Sequence, residues 1–134
     1  MDLANISYLG ILVAAFAGMI TGAVWYGLLA GPWMKAAGVT DEEVQNGSKL
    51  IYLVAIGAQL IIAYLMSVLF SHFPSVTMMD GILSAFFLWL GFCVAPMAVN
   101  HRFQGKGWDL TAIDGGFWLV VFLLQGAILG WWIA

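Results

Sequence analysis

The sequence predicts an all-α fold: a polytopic membrane protein of four transmembrane helices, forming one domain over residues 1–134. Three observations predict it. Hydrophobic residues make up 63% of the chain and charged residues only 8%, against about 25% charged in a soluble domain. Four apolar runs each approach the ~20 residues that carry a helix across a bilayer. All four Lys and Arg residues fall in two of the connections, the first and the third. Lipid offers no partner to an open backbone, so each run is expected to be helical. Barrel strands would be shorter and would alternate in polarity, and these runs do not.

The first helix is expected over about 6–30. The preceding Met1-Asp2-Leu3-Ala4-Asn5 lacks the basic region of a signal peptide, and the run is too long for one. It therefore reads as a retained span. Gly10, Ala14, Gly18 and Gly22 recur at every fourth position, with Gly18 and Gly22 forming G-x-x-x-G. A second small stripe follows at Ala23, Gly27 and Gly31. Small residues let helix backbones approach closely, either inside one bundle or between subunits. Two stripes on one helix favour a bundle that also oligomerises. Pro32 has no amide to donate and is expected to break the helix, freeing the carbonyl of Leu28. Trp25 and Trp33 then read as anchors at the membrane interface.

The first connection is expected to hold a short surface helix ended by Gly38 and a second one from Thr40 to about Gln45. Thr40-Asp41-Glu42-Glu43, Thr77-Met78-Met79-Asp80 and Thr111-Ala112-Ile113-Asp114 all read T-x-x-acid. That spacing lets a hydroxyl cap the third amide while the acid reaches back. Capping explains Asp80 and Asp114 without a functional role. The remaining spans are expected over about 50–70, 80–100 and 112–133. Gly126 and Gly130 repeat the small spacing on the fourth helix, and Pro96 is expected to kink the third and free the carbonyl of Phe92.

An internal echo is visible. Trp25, Gly27 and Pro32 share the pattern W-x-G-x4-P with Trp89, Gly91 and Pro96, 64 residues later, and Tyr52 and Gln59 match Trp118 and Gln125. The pattern suggests a parallel two-plus-two repeat. Gln59 and Gln125 are the most polar side chains deep in the apolar runs, so both are expected to face the interior. They form either a clasp between helices or the lining of a pseudo-symmetric path. Asn100, His101, Arg102 and Asp114 form a candidate polar cluster at the mouth of the third connection, where a loop salt bridge and caps are the simpler account.

Several function classes are disfavoured. The net charge of −3 and the four basic residues leave no patch for nucleic acid. The lone Cys93 has no disulfide partner within the chain and reads as a buried, inert thiol. His72 and His101 belong on opposite sides of the membrane and cannot share a metal within one subunit. No nucleotide-binding, metalloprotease or nucleophile-elbow motif occurs, so neither cofactor nor catalytic residue is expected. The partners expected are the lipid bilayer and either a second copy or a membrane complex. A small transporter or channel is the alternative, and an intramembrane enzyme a weaker one.

The run Trp25-Tyr26, then Gly31-Pro32-Trp33-Met34-Lys35-Ala36-Ala37-Gly38-Val39-Thr40, resembles the start of the DUF1761 family of small bacterial membrane proteins of unknown function. Asn100-His101-Arg102-Phe103-Gln104-Gly105-Lys106, Asp114-Gly115-Gly116-Phe117-Trp118 and Gly126-Ala127-Ile128-Leu129-Gly130 are similar to the rest of its pattern. The resemblance implies this architecture and a bacterial inner membrane, and carries over no catalytic residue. With the basic connections, 31–49 and 100–111, in the cytoplasm, both termini are expected to face outward.

Overall fold

The computed structural model describes Leu3 and residues 6–133. The rest of the opening stretch read for a leader, and Ala134, lie outside the described residues. Seven α-helices follow in order: α1 (Tyr8–Leu28), α2 (Ala30–Ala37), α3 (Asp41–Gln45), α4 (Leu50–Phe70), α5 (Met78–Trp89), α6 (Ala95–Phe103) and α7 (Trp108–Ile133). A π turn, Leu90–Val94, joins α5 and α6 into one continuous rod. Four stretches are long and apolar enough to cross a membrane: α1, α4, the α5–α6 rod and α7. Leu9, Phe16, Leu53 and Phe92 stand out from these rods with more than 60% of their surface exposed. Such faces are stable only in an apolar solvent, so this is a membrane protein.

The helix ends have local causes. Ser7 accepts the amide of Gly10 at 3.1 Å and opens α1. The first helix stops at Leu28, two residues short of the expected end. Leu29 makes a joint, and Pro32 sits within α2 rather than between helices. Gly38 closes α2 in the left-handed region (φ 71°), where a glycine has no steric penalty. Thr40 caps α3 by accepting the amide of Glu43 at 3.2 Å. Thr77 and Asp80 form a complete capping box, each side chain accepting the other residue's amide, at 3.2 and 2.9 Å.

The expectations at Pro96 and Thr111 meet different outcomes. At Pro96 the span changes its winding. The missing amide is accommodated by the π turn just before it, where Ala95 donates to Leu90, five residues back. Thr111 opens no helix. The fourth span begins a turn earlier, at Trp108, after a left-handed Gly105 (φ 73°), so Thr111 and Asp114 are interior residues of α7.

The last span is the hub of the fold. Along one side it packs on α5, along another on α1, and α4 covers the seam between α1 and α7. The α5–α7 contact is made of backbone. A Cβ added to Gly126 would stand 2.6 Å from that of Ala85 and nearer still to the Gly81 carbonyl. One added to Gly130 would stand 2.7 Å from the Thr77 carbonyl. The α1 stripe instead admits side chains of its neighbours. Gly10 faces the Trp132 ring, Gly22 the Phe117 ring and Gly18 the Gln59 carboxamide, while Ala14 is fully buried. The second stripe is unused: nothing lies within 4 Å of a Cβ at Gly27 or Gly31.

The contacts leave the two-plus-two repeat unconfirmed. Among the described residues α1 packs on α4 as α5 does on α7, but α4 has no packing on the α5–α6 rod comparable to that of α1 on α7. A cleft occupies that place.

Candidate functional site

The membrane-depth polar pair is a clasp. Gln125 Nε2 donates to Gln59 Oε1 at 2.8 Å, and the two residues are 0% and 2% exposed. A Cβ at Gly18 would collide with the Gln59 carboxamide, so the bare glycine gives that amide its passage over α1 to α7. Gln125 Oε1 and the Ser67 hydroxyl are buried without partners. Neither glutamine lines the cleft.

A second polar assembly sits at the end of the bundle that carries the four cations. Residues from α1, α6 and α7 build it. Tyr26 donates its hydroxyl to Asp114 Oδ1 at 2.7 Å. Trp25 donates its indole N–H to the Ile113 carbonyl at 3.0 Å, and Trp89 reaches the Gly115 carbonyl from the opposite side at 2.9 Å. Trp25 is therefore a tie between helices. Gly115 and Gly116 admit these neighbours: a Cβ on Gly116 would stand 2.9 Å from the Trp25 ring, and one on Gly115 3.2 Å from Val94. Tyr26 is held edge-on by Phe117 and Trp33, at 5.1 and 6.1 Å between ring centres.

His101 and Arg102 complete the assembly from α6. His101 Nδ1 lies 2.7 Å from the Thr111 hydroxyl, and Arg102 donates to that same oxygen. A guanidinium only donates, so the hydroxyl hydrogen is free for Nδ1. His101 Nε2 faces Asp114 Oδ2 across 3.9 Å. That gap is too long for a direct hydrogen bond and admits a bridging atom. Arg102 also donates to the Gly107 carbonyl at 2.8 Å and lies over the Trp108 ring at 3.8 Å. Its Nε and remaining terminal nitrogen are buried without partners.

Of the four residues read as a polar cluster, His101, Arg102 and Asp114 meet in this network. Asn100 does not; it is exposed and lines the cleft. Asp114 is a tertiary partner of Tyr26, not a cap. Sequence reasoning missed Tyr26 and Thr111 as members. Their spacing to Asp114 offered half a signal, since Thr111, Asp114 and Trp118 fall on one helical face. Tyr26 gave none, being 88 residues away. At the same end Lys106 donates to the Ala37 carbonyl at 2.7 Å, tying the third connection to the last turn of α2.

The cleft between α4 and the α5–α6 rod encloses about 590 Å³ and is floored by Trp118 and Phe122 of α7. Ala58 and Ile62 form one wall, and Phe92, Pro96 and Met97 belong to the other. Cys93 lines it too and is only half-buried, contrary to the sequence expectation. Asn100, His101 and Gln104 close the end nearest the basic connections. Among the described residues no three His, Cys, Asp or Glu side chains converge on a point that could hold a metal.

These features define a class: a small four-span membrane protein with a closed polar clasp at its centre and a laterally open cleft at one end. The family model for a protein of unknown function, DUF1761, matches residues 9–130. The chain belongs to that family. No curated protein and no solved structure matched it.

Proposed function

We propose that the protein is a non-enzymatic binding protein of the membrane, which holds another membrane component in the cleft beside α4, as an accessory subunit does. One observation carries this reading. His101 belongs at once to the closed network of Tyr26, Asp114, Thr111 and Arg102 and to the open end of the cleft. An occupant of the cleft would therefore touch a group whose orientation is fixed by three helices. The same commitment argues against catalysis. His101 Nδ1 is engaged with the Thr111 hydroxyl, which removes it as a base for Cys93. The positive-inside rule favours the cytoplasm for the end bearing Lys35, Lys49, Arg102 and Lys106, with both termini outward, in a bacterial inner membrane.

Native mass spectrometry on protein released from its own membranes in mild detergent tests the reading. Wild-type protein should retain a bound membrane component, and Ala58→Phe, which fills the cleft, should lose it without a change in melting. Bare wild-type monomer would overturn the proposal. A second reading, self-association, is favoured by the free stripe at Ala23, Gly27 and Gly31. The same spectra would then show dimers that Gly27→Leu abolishes.

A further inference from the structure

The cleft's lining says what it would hold. Its walls belong to segments that cross the membrane, so it opens onto hydrocarbon rather than water. The wall residues Ala58, Ile62, Phe92, Met97 and Phe122 offer a tail nothing but apolar surface. Polarity is confined to one end, where Asn100 and Gln104, one helical turn apart on the same face, stand with His101.

The decisive feature is charge. Among the described residues no Lys, Arg, Asp or Glu lines the cleft. The neighbouring charged side chains, Arg102 and Asp114, are not among its lining residues. Arg102 bonds Gly107 and Thr111 and lies over the Trp108 ring, and Asp114 accepts from Tyr26. An ionised head at this end would meet no countercharge among the lining side chains. Two carboxamides and an imidazole instead offer both donors and acceptors, which suits a hydroxyl or carbonyl oxygen. His101 lines the same end and adds its ring to the two carboxamides.

We infer that the cleft is a binding site for an uncharged membrane amphiphile. Its hydroxyl or carbonyl head bonds to His101, Asn100 and Gln104, and its single hydrocarbon tail lies between α4 and the α5–α6 rod over Trp118 and Phe122. The inference rests on the cleft-binding reading above and adds the class of ligand. It gives the missing contact between α4 and the third span a purpose: the tail takes the place that helix packing leaves open.

The probe is oleyl alcohol carrying a diazirine at mid-chain, photolysed with the full chain in lipid vesicles, with adducts located by mass spectrometry. Adducts should concentrate on Phe92, Met97, Trp118 and Phe122. Excess plain oleyl alcohol should suppress them at least about fivefold more effectively than oleate or phosphatidylglycerol, a margin equivalent to roughly one hydrogen bond. Ala58→Phe should abolish the adducts. Asn100→Leu with Gln104→Leu, both on exposed positions, should keep the fold and the labelling but erase the preference for the alcohol. Equal competition by oleate would overturn the ligand class while leaving the cleft as a binding site. Adducts spread evenly over the outer faces of α1 and α4 would overturn both.

Discussion

Replacing Gln59 by Leu leaves Gln125 alone in the dry centre of the bundle. The replacement is close in volume, so packing changes little and the effect is chiefly that of the lost hydrogen bond. Gln125 Nε2 loses its 2.8 Å acceptor, and its Oε1 has none already. An interhelical bond in a membrane is worth about 0.6–2 kcal/mol, and a stranded buried group costs about 1–3 kcal/mol. Gln59→Leu or Gln125→Leu alone should therefore destabilise by about 1–3 kcal/mol. The double replacement removes donor and acceptor together and relieves the unpaired Oε1, so it should cost less than either single change. Unfolding in mixed micelles by denaturing detergent, followed through tryptophan near-ultraviolet dichroism, gives all four stabilities. Costs that simply add, or a double variant worse than both singles, would refute the dry clasp and point to a hydrated pair.

Other outcomes follow from the same coordinates. Gly126→Ala places a methyl within 2.6 Å of Ala85 and should force α5 from α7, with a loss of about 1–3 kcal/mol or more, whereas Gly27→Ala meets open space and should stay within about 0.5 kcal/mol in the same assay. Tyr26→Phe strips Asp114 of its 2.7 Å donor and should lower stability by about 1–2 kcal/mol. Thr111→Val removes the oxygen shared by His101 and Arg102 and should cost more than Thr77→Val, an exposed cap worth about 1 kcal/mol. Equal losses at the two threonines would favour Thr111 as a mere surface residue.

The four rods were legible because hydrophobic length speaks directly to a bilayer. Within that frame, local signals read well and long-range ones did not. Thr77 and Asp80 cap a helix because their side chains bond each other's amides across its first turn. Thr111 and Asp114 carry the same spacing yet serve α6 and α1, because the helix had already begun at Trp108, with Asp109 in its first turn. A spacing rule cannot tell a first turn from a second. The 66-residue echo did point Gln59 and Gln125 toward each other. The symmetry it implied is unconfirmed, because α7 takes the central place and α4 packs on α1 and α7 rather than on the α5–α6 rod. The glycine stripes showed where close approach occurs but not what approaches. On α7 it is the backbone of α5; on α1 it is a ring or an amide from across the bundle. Gly115 and Gly116 entered only as part of the family resemblance, since two adjacent glycines form no stripe, yet they receive Val94 and Trp25.

The π turn before Pro96 sets the aim of His101. At about 100° per residue, an unbroken α-helix would carry Met97 and His101 about 120° and 160° around from Ala85, the residue pressed on Gly126. Both would then point away from α7. Winding one additional residue into the turn Leu90–Val94 takes back about one residue's rotation, leaving them about 20° and 60° from that line. The span is thus two rotors joined out of phase, one keyed to glycine and the other to a polar socket. What holds that offset is a count of residues rather than their identity. Deleting any one of the five, even the 81% exposed Phe92, should leave a helix long enough to cross the membrane with its second half turned by about 100°. His101 would swing out of reach of Thr111, and the socket would close on nothing.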